Sequence, residues 1–279
     1  MEGSVANGGL AWSRQRLMDE LLADVKGDRT QKWARGPHSR SNWLPLGVES
    51  RLRVCVGGWP WKLPDAYGLD GESEEDALEK AKAYIAVGIN TFVDLTEGRN
   101  EIFLQAIECT YASWQPVVEK IAHDSALARG DEAEDAASLN FLKCQMPDGG
   151  VTSNEELAKL LESLLFELQR PQRALYVHCF GGHGRSGIVC CCLLTVFYPW
   201  LGELPESFID EWACNPMRKH LFPRNSMDRL EETFGAAVAR RTFGAVAVFN
   251  RFHAEREFEH GGGNIRFPHS YQQLQQVAL

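Results

Sequence analysis

Val177-His178-Cys179-Phe180-Gly181-Gly182-His183-Gly184-Arg185-Ser186-Gly187 sets a cysteine and an arginine five residues apart, with three glycines between them. The run before it, Arg173-Ala174-Leu175-Tyr176-Val177, is apolar and β-prone enough for a buried strand. The run after it, from Ser186-Gly187-Ile188-Val189, takes up helical apolar spacing. Strand, glycine loop and helix in that order form an anion-binding nest, because glycines let successive amides turn toward one centre. A helix beginning near Arg185 adds its exposed amides and its dipole, which favour a bound oxyanion and negative charge on Cys179. The plain alternative is a structural thiol at a strand end beside a glycine turn. Residue type, spacing and context together point instead to a nucleophile inside a phosphate-binding loop.

These residues resemble the active-site signature of the cysteine-dependent protein tyrosine phosphatase superfamily: His-Cys, five residues, Arg, then Ser or Thr. Every fixed position is filled, and Gly182 occupies the internal glycine slot of the Cys-x-x-Gly-x-x-Arg-Ser pattern found in the compact dual-specificity branch. The resemblance implies phosphomonoester hydrolysis without a metal or other cofactor. It also implies phosphate binding by Phe180, Gly181, Gly182, His183, Gly184 and Arg185.

Such chemistry needs an acid for the leaving oxygen, carried on a loop upstream. Met146-Pro147-Asp148-Gly149-Gly150 follows a strand-like run, Leu139 to Cys144, and precedes Ser153-Asn154-Glu155-Glu156, a capping-box pattern for a helix start. Asp148 therefore falls on a strand-to-helix loop, at the sheet edge that a parallel neighbour shares with Cys179. Pro-Asp-Gly is also a favoured turn sequence; the acid reading rests on the vacant role and on the position one element upstream. Pro147-Asp148-Gly149 is similar to the Trp-Pro-Asp loop of tyrosine phosphatases, with methionine in place of tryptophan.

The expected reaction has the Cys179 thiolate attack phosphorus while Asp148 protonates the departing alcohol or phenol, giving a phosphocysteine that water then hydrolyses. Asp148 serves as base in the second step, and Arg185 holds two equatorial oxygens with its planar fork. From the family pattern, Ser186 bonds the leaving sulfur and His178 orients the loop from behind. A satisfied buried histidine describes His178 equally well.

With 279 residues, 44% hydrophobic and 24% charged, the chain has an ordinary globular balance. A net charge of -9 argues against nucleic-acid partners and anionic membranes. No apolar stretch is long enough for a transmembrane segment, and the N-terminus lacks a signal-peptide core, so an intracellular, cytoplasmic protein is expected. The eight cysteines include no Cys-x-x-Cys pair, which indicates neither a disulfide framework nor a zinc site. Cys190-Cys191-Cys192 reads as small packing residues, with Cys55 and Cys144 as weak candidates for redox partners of Cys179.

The expected fold is α/β, a three-layer sandwich whose central, mostly parallel sheet is flanked by helices, like the phosphotyrosine protein phosphatases. Residues 1–42 form an extension with a helix over Arg14 to Val25, 43–245 the phosphatase domain and 246–279 a tail. Strands are expected at Arg51–Val56 and Asn90–Leu95, with a helix from Ser73 to about Val87 closed by Gly88. Further helices are expected at Pro205–Cys214 and Ser226–Val238. Asp94 is set aside as an acid, since a strand-end aspartate more often bonds nearby backbone. The acidic run 130–135 and the basic connector 215–224 read as solvated loops, the latter with an approach to the site as its alternative.

Phosphorylated protein or peptide is the expected substrate, of the tyrosine or dual-specificity type. A phosphoinositide or inositol phosphate is the alternative, because such enzymes usually carry extra cations in the loop and only His183 offers one here. His183 reads as exposed loop filler, with substrate recognition as its alternative. A module that binds phosphorylated partners with little turnover is a second alternative, and a metal-dependent phosphatase a third.

Overall fold

Leu175–His178 forms β7, and all four residues are buried. Its side chains alternate between two faces. Leu175 and Val177 enter one core cluster and Tyr176 the other, so the strand must lie inside a sheet covered on both sides. In the computed structural model, which describes residues 11–22, 34–48, 51–61, 73–97, 111–129, 139–147, 150–214 and 224–253, β7 is the central strand of five.

The sheet runs β1 (Ser41–Trp43), β4 (Val54–Gly57), β7, β5 (Thr91–Asp94), β6 (Asn140–Lys143). The last four are mutually parallel, and β1 pairs antiparallel with β4 at the edge. The expected three-layer α/β sandwich is present. One face carries Cys55, Phe92 and Tyr176 and packs with α2 (Glu74–Ala86) and α3 (Tyr111–Arg129) through Ala77, Ala81, Tyr84 and Trp114. The other carries Val54, Val56, Val93 and Val177 and packs with α1 (Arg14–Leu22), α4 (Asn154–Gln169), α5 (Gly184–Phe197), α6 (Glu206–Trp212) and α8 (Ala236–Phe252). Burying each of these Val, Leu or Phe side chains contributes roughly 1.5–3 kcal/mol.

Local signals set the helix ends. The Ser73 hydroxyl accepts from the Asp76 amide at 3.1 Å while the Asp76 carboxylate accepts from the Ser73 amide at 2.9 Å, a complete capping box. At the other end Gly88, with φ of 81°, sends its amide to the Ile85 carbonyl, and the Ile89 amide bonds Tyr84, a Schellman closure open to a residue without a Cβ. Ser153 caps α4 by accepting from the Glu156 amide at 3.2 Å, but the Glu156 carboxylate takes the Thr152 hydroxyl instead of turning back.

Three expectations need correction. Arg51–Val56 is not one strand: β3 (Arg51–Leu52) pairs with β2 (Gly47–Val48) in a separate two-stranded ribbon, and the central strand begins at Val54. Arg53 makes the break. Its amide bonds the Leu46 carbonyl, and its buried guanidinium donates to the carbonyls of Arg173 at 2.5 Å, Leu168 at 2.7 Å and Arg170. The helix expected over Ser226–Val238 is two, α7 (Arg224–Phe234) and α8, parted at Gly235. The boundary expected at 245/246 falls inside α8, whose Phe243, Val246, Phe249 and Phe252 lie in the main core. Trp12, Leu17 and Leu21 from the expected N-terminal extension join the same core. The acidic run 130–135, the connector 215–223, Val25 and the region beyond His253 lie outside the described residues.

Candidate active site

Parallel register brings the decisive segments to one edge. Gly57, His178, Asp94 and Lys143 are level across β4, β7, β5 and β6, so the chain leaves each strand at the same end. Cys179 follows β7 there, and Met146 and Pro147 follow β6.

Cys179 is 3% exposed. Its Sγ accepts the Gly182 amide proton at 3.2 Å, so the sulfur faces the loop. Gly182 has φ of 82°, and a Cβ there would stand 2.3 Å from the Gly57 carbonyl carbon and 2.5 Å from the Gly58 nitrogen. Only glycine lets the loop rest against that backbone. The Trp59 amide holds the Phe180 carbonyl at 2.9 Å, while Gly58 is fixed by its own amide to Arg40 and by the Tyr176 hydroxyl at 2.7 Å. Tyr84 donates to Tyr176 from α2. This backing of Gly57, Gly58 and Trp59 was not assigned a role from sequence, although paired glycines closing a strand signal a close backbone approach.

α5 starts at Gly184, with the Gly187 amide bonded to the His183 carbonyl at 2.7 Å and no side chain capping the first turn. The first amides of a helix have no intrahelical acceptor and form a ready anion site. Arg185 lies in that turn, 3% exposed, and its Nη1 donates to the Met146 carbonyl at 3.2 Å. Ser186 is fully buried and its hydroxyl has no hydrogen-bond partner among the described residues.

The structure thus gathers Cys179, Phe180, Gly181, Gly182, His183, Gly184, Arg185 and Ser186 into one loop and helix start. His178 is buried directly behind it, its ring stacked on Tyr176 and edge-on to Trp59. Burial pushes the His178 imidazole down to about 4, with the nearby Asp94 charge partly opposing. A ring kept neutral at pH 7 fits orientation rather than proton exchange. Asp148 lies outside the described residues. Before it, Met146 is fully buried in the main core and its amide bonds the Leu95 carbonyl; after it, the Gly150 amide bonds the Pro147 carbonyl at 2.9 Å. Methionine here fills the core at the root of the segment.

Asp94 does what a strand-end aspartate does. It is fully buried, accepts from the Thr96 amide at 2.8 Å and hydroxyl at 2.7 Å, and pairs with Lys143 at 2.9 Å. Burial pushes the thiols of Cys55, Cys144, Cys190, Cys191 and Cys192 above the usual thiol range, which makes these five poor nucleophiles. Among the described residues no helix is long and apolar enough to cross a membrane.

A family described as the Swiss Army Knife protein, DSP-PTPase phosphatase domain, matches residues 65–201. A presumed tyrosine phosphatase, protein 067L of Invertebrate iridescent virus 3, is 40% identical over 60 residues, covering 20% of this chain and 25% of its own length. The chain thus aligns with a quarter of that curated relative. Among solved structures, Tk-PTP in its active form is similar at 18% identity and a TM-score of 0.32, over 52% of this chain and 69% of its own. Kinase associated phosphatase with its catalytic-site cysteine replaced by serine is similar at 13% identity and a TM-score of 0.33, over 76% and 91%.

Proposed function

We propose that this chain, which belongs to the dual-specificity-like branch of the cysteine-dependent protein tyrosine phosphatase superfamily, hydrolyses phosphate monoesters on phosphorylated proteins through a phosphocysteine intermediate. One observation carries the reading: the Cys179 sulfur is turned into its own loop and hydrogen-bonded by the Gly182 amide, at the uncapped start of a helix that holds a buried arginine.

In the first step the sulfur attacks phosphorus in line. The loop amides and the Arg185 guanidinium stabilise the charge gathering on the equatorial oxygens. Arg185 stands 3.2 Å from the Met146 carbonyl, two residues before Asp148, so the phosphate clamp and the base of the acid segment are in contact. Asp148 is assigned the proton donated to the leaving oxygen and then the base for the attacking water. The Ser186 hydroxyl is assigned to the sulfur as it leaves in the second step, a use that accounts for a buried polar group with no hydrogen-bond partner among the described residues.

Turnover of p-nitrophenyl phosphate by the wild type and by Cys179→Ser, with orthovanadate and with a chelator, tests this. Metal-independent turnover that orthovanadate blocks and Cys179→Ser abolishes is expected. Equal rates for the two proteins, or loss of wild-type activity in chelator, would sink it. Competition among phosphotyrosine peptides, phosphothreonine peptides and soluble phosphoinositides then ranks the substrates, with phosphopeptides expected first.

A further inference from the structure

The phosphate loop is tied to the edge strand β1 and to the end of α8 by a run of three polar side chains. His253, immediately after α8, places its Nε2 3.0 Å from His183 Nδ1 in the loop and its Nδ1 3.1 Å from the Asn42 amide nitrogen on β1. The partners are 70 and 211 residues away along the chain. His253 is 6% exposed, its ring centre 4.8 Å from that of His183 and 4.9 Å from that of Phe249. Phe249 in turn fills the space beside Gly187, where a Cβ would meet its ring at 3.2 Å.

Hydrogen-bond chemistry gives this run a direction. An amide nitrogen only donates, so with the Asn42 amide oriented as in the structure His253 Nδ1 is the acceptor and carries no proton. Neutral His253 then has its proton on Nε2 and donates it to His183 Nδ1. Neutral His183 in turn carries its proton on Nε2. The adjoining Cδ2 is 3.6 Å from the position a Cβ on Gly181 would take, so this edge of the ring borders the loop. Each ring's tautomer is set by the bond on its other nitrogen.

We propose that Asn42 and His253 are positioning residues that hold His183 as a directed Nε2–H donor to the oxyanion seated in the phosphate loop. The proposal rests on the phosphatase reading above. It gives His183 a substrate contact and gives the end of α8 a role in binding.

The test uses resting protein and needs no turnover. Long-range 1H–15N correlation spectra of full-length protein labelled at histidine should show His253 and His183 both as Nε2–H tautomers, with the His183 proton moving when inorganic phosphate is added. In the Cys179→Ser background, His253→Phe keeps the ring packing but removes the bonds. It should weaken phosphate binding about tenfold, the worth of one good hydrogen bond, and His253→Gln should restore part of it. A His183 proton on Nδ1, or phosphate bound as tightly by His253→Phe as by its parent, would overturn the proposal. If the parent binds no oxyanion at all, the phosphatase reading falls and takes this proposal with it. If the parent binds and His253→Phe matches it, only the proposal falls. The spectra of unsubstituted protein decide the tautomers even if His253→Phe does not fold.

Discussion

Replacing Gly182 with alanine should break the loop from behind. The added methyl would stand 2.3 Å from the Gly57 carbonyl carbon, 2.5 Å from the Gly58 nitrogen and 2.6 Å from the Gly57 oxygen, all backbone atoms that cannot rotate away. The backbone there sits at φ of 82°, which costs a Cβ-bearing residue about 1–2 kcal/mol before any contact is counted. Relief requires the loop to retreat from Gly57 and Gly58, which pulls the Phe180 carbonyl off the Trp59 amide and loses about 1 kcal/mol more. Together these come to about 2–3 kcal/mol, or a melting temperature lower by roughly 4–12 °C for a domain of this size. Thermal unfolding followed by circular dichroism measures the first effect, and phosphate binding by calorimetry the second, which should vanish because the Gly182 amide no longer meets Sγ. Gly184→Ala is the stability control: nothing lies within 4 Å of its Cβ position, so its melting temperature should stay level or rise. If Gly182→Ala melts within about 2 °C of wild type and binds phosphate equally well, the close-approach reasoning is wrong.

Acidification should destabilise the fold through His178. The unfolded ring takes a proton near 6.5, the buried ring only near 4, so the unfolded state binds more protons between those values and stability falls as pH drops through that window. The full effect is about 3 kcal/mol; urea midpoints at pH 7 and pH 4.5 should separate in wild type and draw together in His178→Gln, and an identical separation in both would refute it. Arg53→Met should cost about 3 kcal/mol, because it leaves buried carbonyls of Leu168, Arg170 and Arg173 without their donor; an unchanged urea midpoint would count against that. Asp148→Asn should lower kcat on phosphotyrosine peptide by roughly a hundredfold or more, with KM little changed, and flatten the alkaline limb of the pH profile. A kcat within twofold of wild type would move the acid role to another residue.

The central strand, the loop and its helix were legible because their signals are local and reinforce one another. The apolar, β-prone run through Leu175, Tyr176 and Val177, the glycines at the turn and the helical spacing after Ser186 each need only a few neighbouring residues. Ser73 and Gly88 marked helix ends for the same reason. What stayed hidden depends on distant partners. Arg53 interrupts an apparently continuous strand because its guanidinium finds carbonyls 115 to 120 residues away. The end of α8 was assigned to a tail because the stretch 243–249 is apolar on every side, with Gly244 inside it, and so lacks the amphipathic period that marks a surface helix; its burial follows from packing against α5 and the turn at Pro199–Glu203. His253 and Asn42 sit in unremarkable sequence, and no spacing rule links them to His183. The pair Gly57 and Gly58 signalled a close backbone approach, but its partner became known only when a third glycine, Gly182, was seen to lie against it.

The bond from Arg185 to the Met146 carbonyl joins two equilibria that would otherwise run independently. An anion that drew that Nη1 away would take this donor from the Met146 carbonyl, and free-energy linkage makes the effect mutual. A substitution at position 146 that strengthens or weakens the bond therefore changes anion affinity by the same factor by which the anion changes the bond. The grip on the substrate and the hold on that carbonyl are two readings of one thermodynamic quantity.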